Sequence, residues 1–210
     1  MLVLSLFPGI GLLDHAFELE GFCVVRGPDL LWGGDIREFH PPAGRFDGVI
    51  GGPPCQAFST SNTSGKGENL IPEFCRVVRE ACPRWWVMEN VPGAPLPEFA
   101  CLHQIVNNRA FGGAQRRVRR ISSNLSLSFP GEALEAIDYL PCASTSLWID
   151  GRQYGAKSTR FLPQFIEAQG LPKDFDLPGF TVQEKVRAIC NGVPIPMGRA
   201  IARAVRKALG

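Results

Sequence analysis

Residues 51–54 read Gly-Gly-Pro-Pro, and no regular helix or interior strand can pass through such a run. Each proline locks φ and lacks a backbone donor, while paired glycines add turn freedom. The segment before it, Phe46–Ile50, is a short apolar run that reads as a buried strand. The chain must therefore turn a rigid corner at the carboxyl end of that strand, and the residue held on the corner is Cys55. A thiol presented in this way is a candidate nucleophile.

The rest of the chain alternates between short apolar runs and helical periodicity. Met1–Leu6 predicts a buried strand, followed by the turn Phe7-Pro8-Gly9-Ile10-Gly11 and a helix over Leu12–Leu19 that stops at Gly21. Phe22–Arg26 predicts a second strand, and Thr60–Glu68 is loop-like in composition. Pro72 suits the first turn of a helix continuing through Glu73–Ala81, and Trp85–Met88 predicts a strand ending at Glu89. A further helix is expected over Glu98–Asn107, ahead of the basic stretch Arg109–Arg120. This alternation predicts an α/β fold with a mostly parallel, doubly wound sheet.

Composition narrows the classes. A chain of 210 residues holds one domain and at most a small appendage. With 45% hydrophobic and 20% charged residues it is neither disordered nor collagenous. The apolar opening, Met1–Leu13, is interrupted by Pro8, Gly9 and Gly11 and has no basic flank, so neither a membrane span nor a secretory signal is expected. The 7 cysteines form no C-x-x-C pair and have no histidine at zinc-like spacing, which predicts no metal site and a reducing, cytoplasmic setting. Net charge is +2, but residues 1–50 carry an acidic excess and the remainder a basic one. Arg109, Arg116, Arg117, Arg119 and Arg120 form a cluster dense enough to suggest phosphate contact. Arg199, Arg203, Arg206 and Lys207 fit a solvated helix face equally well.

Ligands in open α/β sheets bind beyond the carboxyl ends of strands. The Phe7-x-Gly9-x-Gly11 turn suits close backbone approach to a ligand, but the third glycine of a dinucleotide fingerprint is replaced by Asp14. Asp29, beyond the second strand, can take ribose hydroxyls in any nucleotide reading. Cys55, Glu89-Asn90-Val91 and Gln115-x-Arg117-x-Arg119 add a thiol, a carboxyl group and paired guanidiniums. Glu89 alone reads as a strand-end salt bridge, and the arginines alone as a surface patch. Together they suit nucleophilic attack on an electron-poor ring whose developing charge must be neutralised.

Phe7-Pro8-Gly9-Ile10-Gly11, Gly52-Pro53-Pro54-Cys55-Gln56-Ala57-Phe58-Ser59, Glu89-Asn90-Val91 and Gln115-Arg116-Arg117-Val118-Arg119 resemble, in order and spacing, the motifs of the DNA (cytosine-5)-methyltransferase family. Asp35-Ile36 resembles the family's adenine-side motif, and Leu162–Phe175 and Asn191-Gly192-Val193 resemble its closing motifs, although Ala188 and Cys190 replace the usual Gln and Gly. Amino-methylating DNA enzymes carry an aromatic residue after Pro-Pro, so Cys55 points to carbon methylation. The resemblance implies a Rossmann-like fold binding S-adenosylmethionine, without a metal, at Phe7, Gly9, Ile10, Gly11, Asp29, Asp35, Ile36, Pro53, Asn191 and Val193. It implies a flipped-out cytosine attacked by Cys55, with Glu89, Arg117 and Arg119 completing the catalytic set, and DNA contacts from Gln56, Ser59, Gln115, Arg116 and Arg120. The implied division is a catalytic core at 1–121, a much reduced target-recognition segment at 122–159, and closing motifs at 160–210. The implied setting is a bacterial or phage-like cytoplasm, with restriction-modification among the roles, DNA as partner and no membrane. The protein would act as a monomer or with a second subunit supplying DNA contacts. RNA cytosine methylation and a non-catalytic DNA-binding relative are the alternatives, with a nicotinamide-dependent oxidoreductase third.

Overall fold

A computed structural model of the chain describes residues 1–54, 58, 67–99, 101–129 and 161–210, together with the backbone of 146–149 and 152–155. Short apolar runs form the strands β1 (Leu2–Leu6), β2 (Cys23–Arg26), β3 (Gly48–Gly51) and β4 (Trp85–Asn90), and these pair in parallel. Two more strands, β5 (Leu102–Asn107) and β6 (Val118–Ser123), complete one sheet of order β2-β1-β3-β4-β6-β5. β6 runs antiparallel to both β4 and β5, so the sheet is mixed but mostly parallel. A separate antiparallel pair, β7 (Ser146–Ile149) and β8 (Arg152–Gly155), falls in the stretch expected to be a reduced target-recognition segment.

Successive side chains of the central strands point to opposite faces, and each face carries its own core. Val3, Ile50, Trp85, Val87 and Ile121 pack with helices α1 (Leu12–Leu19) and α5 (Ile195–Leu209). Leu4, Leu6, Val49, Trp86 and Met88 pack with α2 (Ile71–Ala81) on the other side. A third cluster joins α1 to α3 (Leu162–Ala168) and α4 (Val182–Asn191) through Phe165, Val186 and Ile189. Helices thus cover both faces, as the alternating sequence pattern predicts.

The helix expected over Glu98–Asn107 is corrected: residues 102–107 are a strand. Leu102, Ile105 and Val106 stand at helical spacing, which misleads a periodicity argument. A continuous ladder from Leu102 opposite Ser123 to Asn107 opposite Val118 overrides it. On this sheet edge only Val106 and Asn107 are buried, so the inward-facing alternation that marks a strand is missing.

The C-terminal basic group also has a structural use. Arg199 Nε and Arg203 Nη2 lie 2.7 and 3.0 Å from Glu20 Oε1, and Arg206 Nη1 donates to the Glu20 carbonyl at 2.5 Å. These contacts fasten α5 to the end of α1.

Beneath them Phe17, Phe22 and Trp85 form an aromatic trio with centroids 5.0–6.4 Å apart. Each such pair adds about 0.5–1.5 kcal/mol beyond its buried area. The Trp85 indole occupies the place where a side chain at Gly48 would go, since a Cβ there would lie 2.2 Å from two ring atoms. Gly48→Ala is therefore expected to destabilise the fold by about 1–3 kcal/mol through overpacking. Urea unfolding would show this as a lower midpoint, and an unchanged midpoint would refute it.

Candidate active site

The turn after β1 is built by unusual backbone. Phe7 has φ +55°, and Gly9 and Gly11 have φ +54° and +80°. A left-handed phenylalanine is rare and costs on the order of 1–2 kcal/mol, so the turn is held against a local preference. Asp29 does much of the holding: its carboxylate accepts from Gly9 N at 2.8 Å and from Leu31 N at 2.8 Å. The Trp32 indole donates to Gly9 O at 2.6 Å and meets the Phe180 ring edge-on at 5.8 Å. A Cβ added at Gly9 would meet no atom within 4 Å, so this side of the turn is open. Gly11 differs, because the Arg26 guanidinium lies 2.4 Å from where its Cβ would be. Arg26 is itself held 3.1 Å from the fully buried Asp14, which also accepts from Ser5 Oγ at 2.5 Å. Burial pushes the Asp14 carboxyl above its ordinary value despite these partners.

Asp35 caps the single-turn helix Ile36–Glu38 by accepting from Arg37 N at 3.0 Å. The Arg37 guanidinium grips both carboxylate oxygens, at 2.9 and 2.5 Å, and holds Asp35 down at about 2. Ile36 is buried against the α2-side core. Asp29 thus bonds directly to the open glycine turn, and Phe7 of that turn packs against the same α2-side core as Ile36. Asn191 is exposed at the end of α4, one residue before Gly192. A Cβ at Gly192 would lie 2.6 Å from Leu12, so this corner is packed directly against the start of α1.

The second centre forms where β3 and β4 end beside the start of the antiparallel β6. Asn90 Nδ2 donates to Pro53 O at 3.1 Å, and a Cβ on Gly52 would lie 3.3 Å from Glu89 Oε2. The Gly-Pro-Pro corner is thus fixed against the Glu89-Asn90 strand end. Glu89 is 8% exposed, and its Oε1 lies 2.7 Å from Arg119 Nε. Cys55, Gln56 and Ser59 lie outside the described residues.

The remaining predicted residues divide. Arg117 is buried and donates from Nη1 to Cys190 O at 3.0 Å, so it reaches toward the end of α4, whereas Arg119 pairs with Glu89. Gln115, read from the resemblance as a DNA contact, is corrected. It is wholly buried, with Nε2 donating to Ala168 O at 2.7 Å and to Gln169 Oε1 at 2.9 Å. Gln169 in turn donates to Ile189 O and Gly192 O, at 2.5 and 3.1 Å. Arg120 is half-buried, and its guanidinium donates to Ala94 O at 2.5 Å and to Pro92 O, clamping the loop after β4. Arg116 is exposed. Sequence reasoning assigned no role to Asn90, Trp32 or Gln169. Asn90 and Gln169 lie inside motifs already singled out, but the carbonyls that Trp32 and Gln169 bond are 20 to 23 residues away in the chain and leave no local signal.

Residues 32–123 match the family model described as C-5 cytosine-specific DNA methylase. The chain is 53% identical over 120 residues to the Type II methyltransferase M.AquIA of Picosynechococcus sp., a match covering 43% of this chain and 48% of that protein. It is 34% identical over 114 residues to the Type II methyltransferase M.FnuDI of Fusobacterium nucleatum, covering 44% and 33%. The chain therefore spans less than half the length of these curated relatives. In fold it is similar to a prophage-encoded DNA modification methyltransferase of E. coli, with a TM-score of 0.67 at 16% identity, covering 100% of this chain and 99% of that one.

The Asp35–Arg37 grip has a titration consequence. A carboxyl held low in the folded protein contributes stability above its unfolded pKa and loses that contribution as pH falls toward the folded value. Carbon-13 NMR of the Asp35 carboxyl is expected to show a midpoint near 2, returning toward 3.8 in Arg37→Gln. A wild-type midpoint already near 3.8 would contradict the grip.

Proposed function

We propose that this chain is a member of the C-5 cytosine-specific DNA methylase family, whose model matches residues 32–123, and that it methylates carbon 5 of cytosine in DNA. The observation that carries the proposal is the convergence of Glu89, Arg119 and the Pro53 corner on three adjacent strand ends, with the corner leading directly to Cys55. The open turn at Gly9 fits S-adenosylmethionine, which when bound supplies the electrophilic methyl group. Phe7, Gly9, Ile10 and Gly11 would bear on it from below, Asp29 on the ribose side, Asp35 and Ile36 on the adenine side, and Pro53, Asn191 and Val193 around the rest. Each Asp29 oxygen retains a second acceptor position beside its backbone bond.

A cytosine flipped out of the duplex would enter between the two centres. The Cys55 thiolate adds to ring carbon 6, and electron density moves through the ring toward carbon 5. Glu89 hydrogen-bonds N3 and the exocyclic amine, while Arg119 neutralises charge at O2. After methyl transfer the carbon 5 proton leaves, carbon 5 and carbon 6 regain their double bond, and the thiolate is expelled. Arg117 supports this set from behind by fastening β6 to the end of α4. Arg116 remains a DNA contact, as do Gln56 and Ser59 on the loop beyond Cys55. Residues 122–159 form the reduced recognition segment, so the target site is short or relaxed.

Labelled methyl transfer offered to DNA and to tRNA, with DNA products mapped base by base, tests the reading. The expected product is 5-methylcytosine in DNA at a short motif. Transfer to tRNA alone would overturn the substrate assignment, and a strict long site would overturn the relaxed specificity. Glu89→Gln and Arg119→Met are each expected to lower kcat by about 10²–10⁴ while S-adenosylhomocysteine still binds.

A further inference from the structure

Arg76 lies on α2 and belongs to neither strand-end centre, yet its guanidinium is one of the most committed groups in the molecule. Nε and Nη1 lie 2.8 and 2.9 Å from Glu73 Oε2 and Glu80 Oε1, one helical turn away on either side. Those two contacts alone would describe an ordinary helix-surface ion pair. The other face of the guanidinium departs from that pattern. Nη2 donates to Ile36 O at 2.7 Å and Nη1 to Phe39 O at 3.1 Å. Two carbonyls at the ends of one short turn are thus held by one planar group, itself oriented by two carboxylates.

The turn has few other ties. It sits in the connection between β2 and β3. Its internal bonds are the Asp35 cap and grip on Arg37 and the Glu38 N–H to Asp35 O and Phe39 N–H to Ile36 O contacts, both 3.2 Å. Outside it, Arg37 Nη1 lies 3.4 Å from the exposed Glu68. These bonds shape the turn without fixing its position relative to the sheet. The Ile36 side chain anchors one point in the α2-side core, and Arg76 supplies directional contacts that fix its orientation. Planar, forked donor geometry suits two carbonyls in a way that a lysine ammonium cannot reproduce.

We infer that Arg76 is a positioning residue for the adenine side of the cofactor pocket, acting through the turn that presents Asp35 and Ile36. This rests on the cofactor reading proposed above. Displacing that turn by a fraction of an ångström weakens recognition of the adenine edge and leaves the methyl donor's other end untouched. The cost therefore falls on cofactor affinity and base discrimination, while turnover at saturating cofactor is retained.

Calorimetric binding of S-adenosylhomocysteine and of its inosine counterpart, with an oxo group in place of the adenine amine, tests this on the full chain. The wild type is expected to prefer the adenine form. Arg76→Ala is expected to bind S-adenosylhomocysteine about tenfold more weakly and to lose most of that preference. In DNA methylation it should raise KM for the cofactor and leave kcat within about twofold. Arg76→Lys should fall between, and serves as the folded variant if Arg76→Ala does not fold. Arg79→Ala removes the same charge from the same helix and should behave as wild type. Unchanged affinity and preference in either Arg76 variant would overturn the inference, as would an equal loss for both nucleosides accompanied by a fall in kcat. A wild type that binds neither compound would overturn the cofactor reading itself, and this inference with it.

Discussion

The reversed direction of β6 is the constraint on which the proposed catalytic arrangement depends. β4 is parallel to its neighbour β3, so its carboxyl end would ordinarily lie beside the carboxyl end of the next strand as well. Because β6 runs the other way, its first residues lie there instead. Glu89 stands opposite Ile121, and Arg119, two residues earlier on β6, falls on the same face as the diagonal neighbour. A parallel β6 would have carried the arginine to the far end of the sheet. The resulting pair is mostly withdrawn from water, with side chains 11% and 14% exposed. Removing one partner of a buried pair leaves an uncompensated charge and typically costs about 3–5 kcal/mol.

The same strand approach anchors the C-terminal segment. Gln115, Arg117 and Gln169 bond the ends of α3 and α4 to the residues leading into β6. A buried amide that loses its partner costs about 1–3 kcal/mol, so this knot behaves as a unit. It brings Val193 and Gly192 against the start of α1, close to the glycine turn. Three residues that look like ligand contacts by their motif position therefore differ in use. Arg119 pairs with Glu89, while Arg117 and Gln115 hold the wall behind it.

Much of this fold is legible in the sequence because the signals are local. The helix Leu12–Leu19 follows from periodicity and a stop glycine, and the β3 corner follows from Gly-Gly-Pro-Pro. The edge strand β5 is not legible, since its exposed face removes the alternation and its ladder partner lies in a distant segment. Gln115 and Arg120 read as surface donors for a similar reason. Their acceptors include carbonyls at Ala168, Pro92 and Ala94, and a carbonyl carries no residue-specific mark. Arg76 illustrates the point most fully, because its carboxylate partners lie at helical spacing while its contacts with Ile36 and Phe39 arise only in the folded chain.

The central claim is that Cys55 forms a covalent bond to cytosine during methyl transfer. Intact-mass analysis of the full chain incubated with S-adenosylmethionine and DNA containing 5-fluorocytosine tests it most directly, because fluorine at carbon 5 blocks the final elimination. The account predicts a stable protein–DNA adduct that peptide mapping assigns to Cys55 and that is absent from Cys55→Ser. An adduct surviving in Cys55→Ser, or 5-methylcytosine formed in ordinary DNA by that variant, would contradict it.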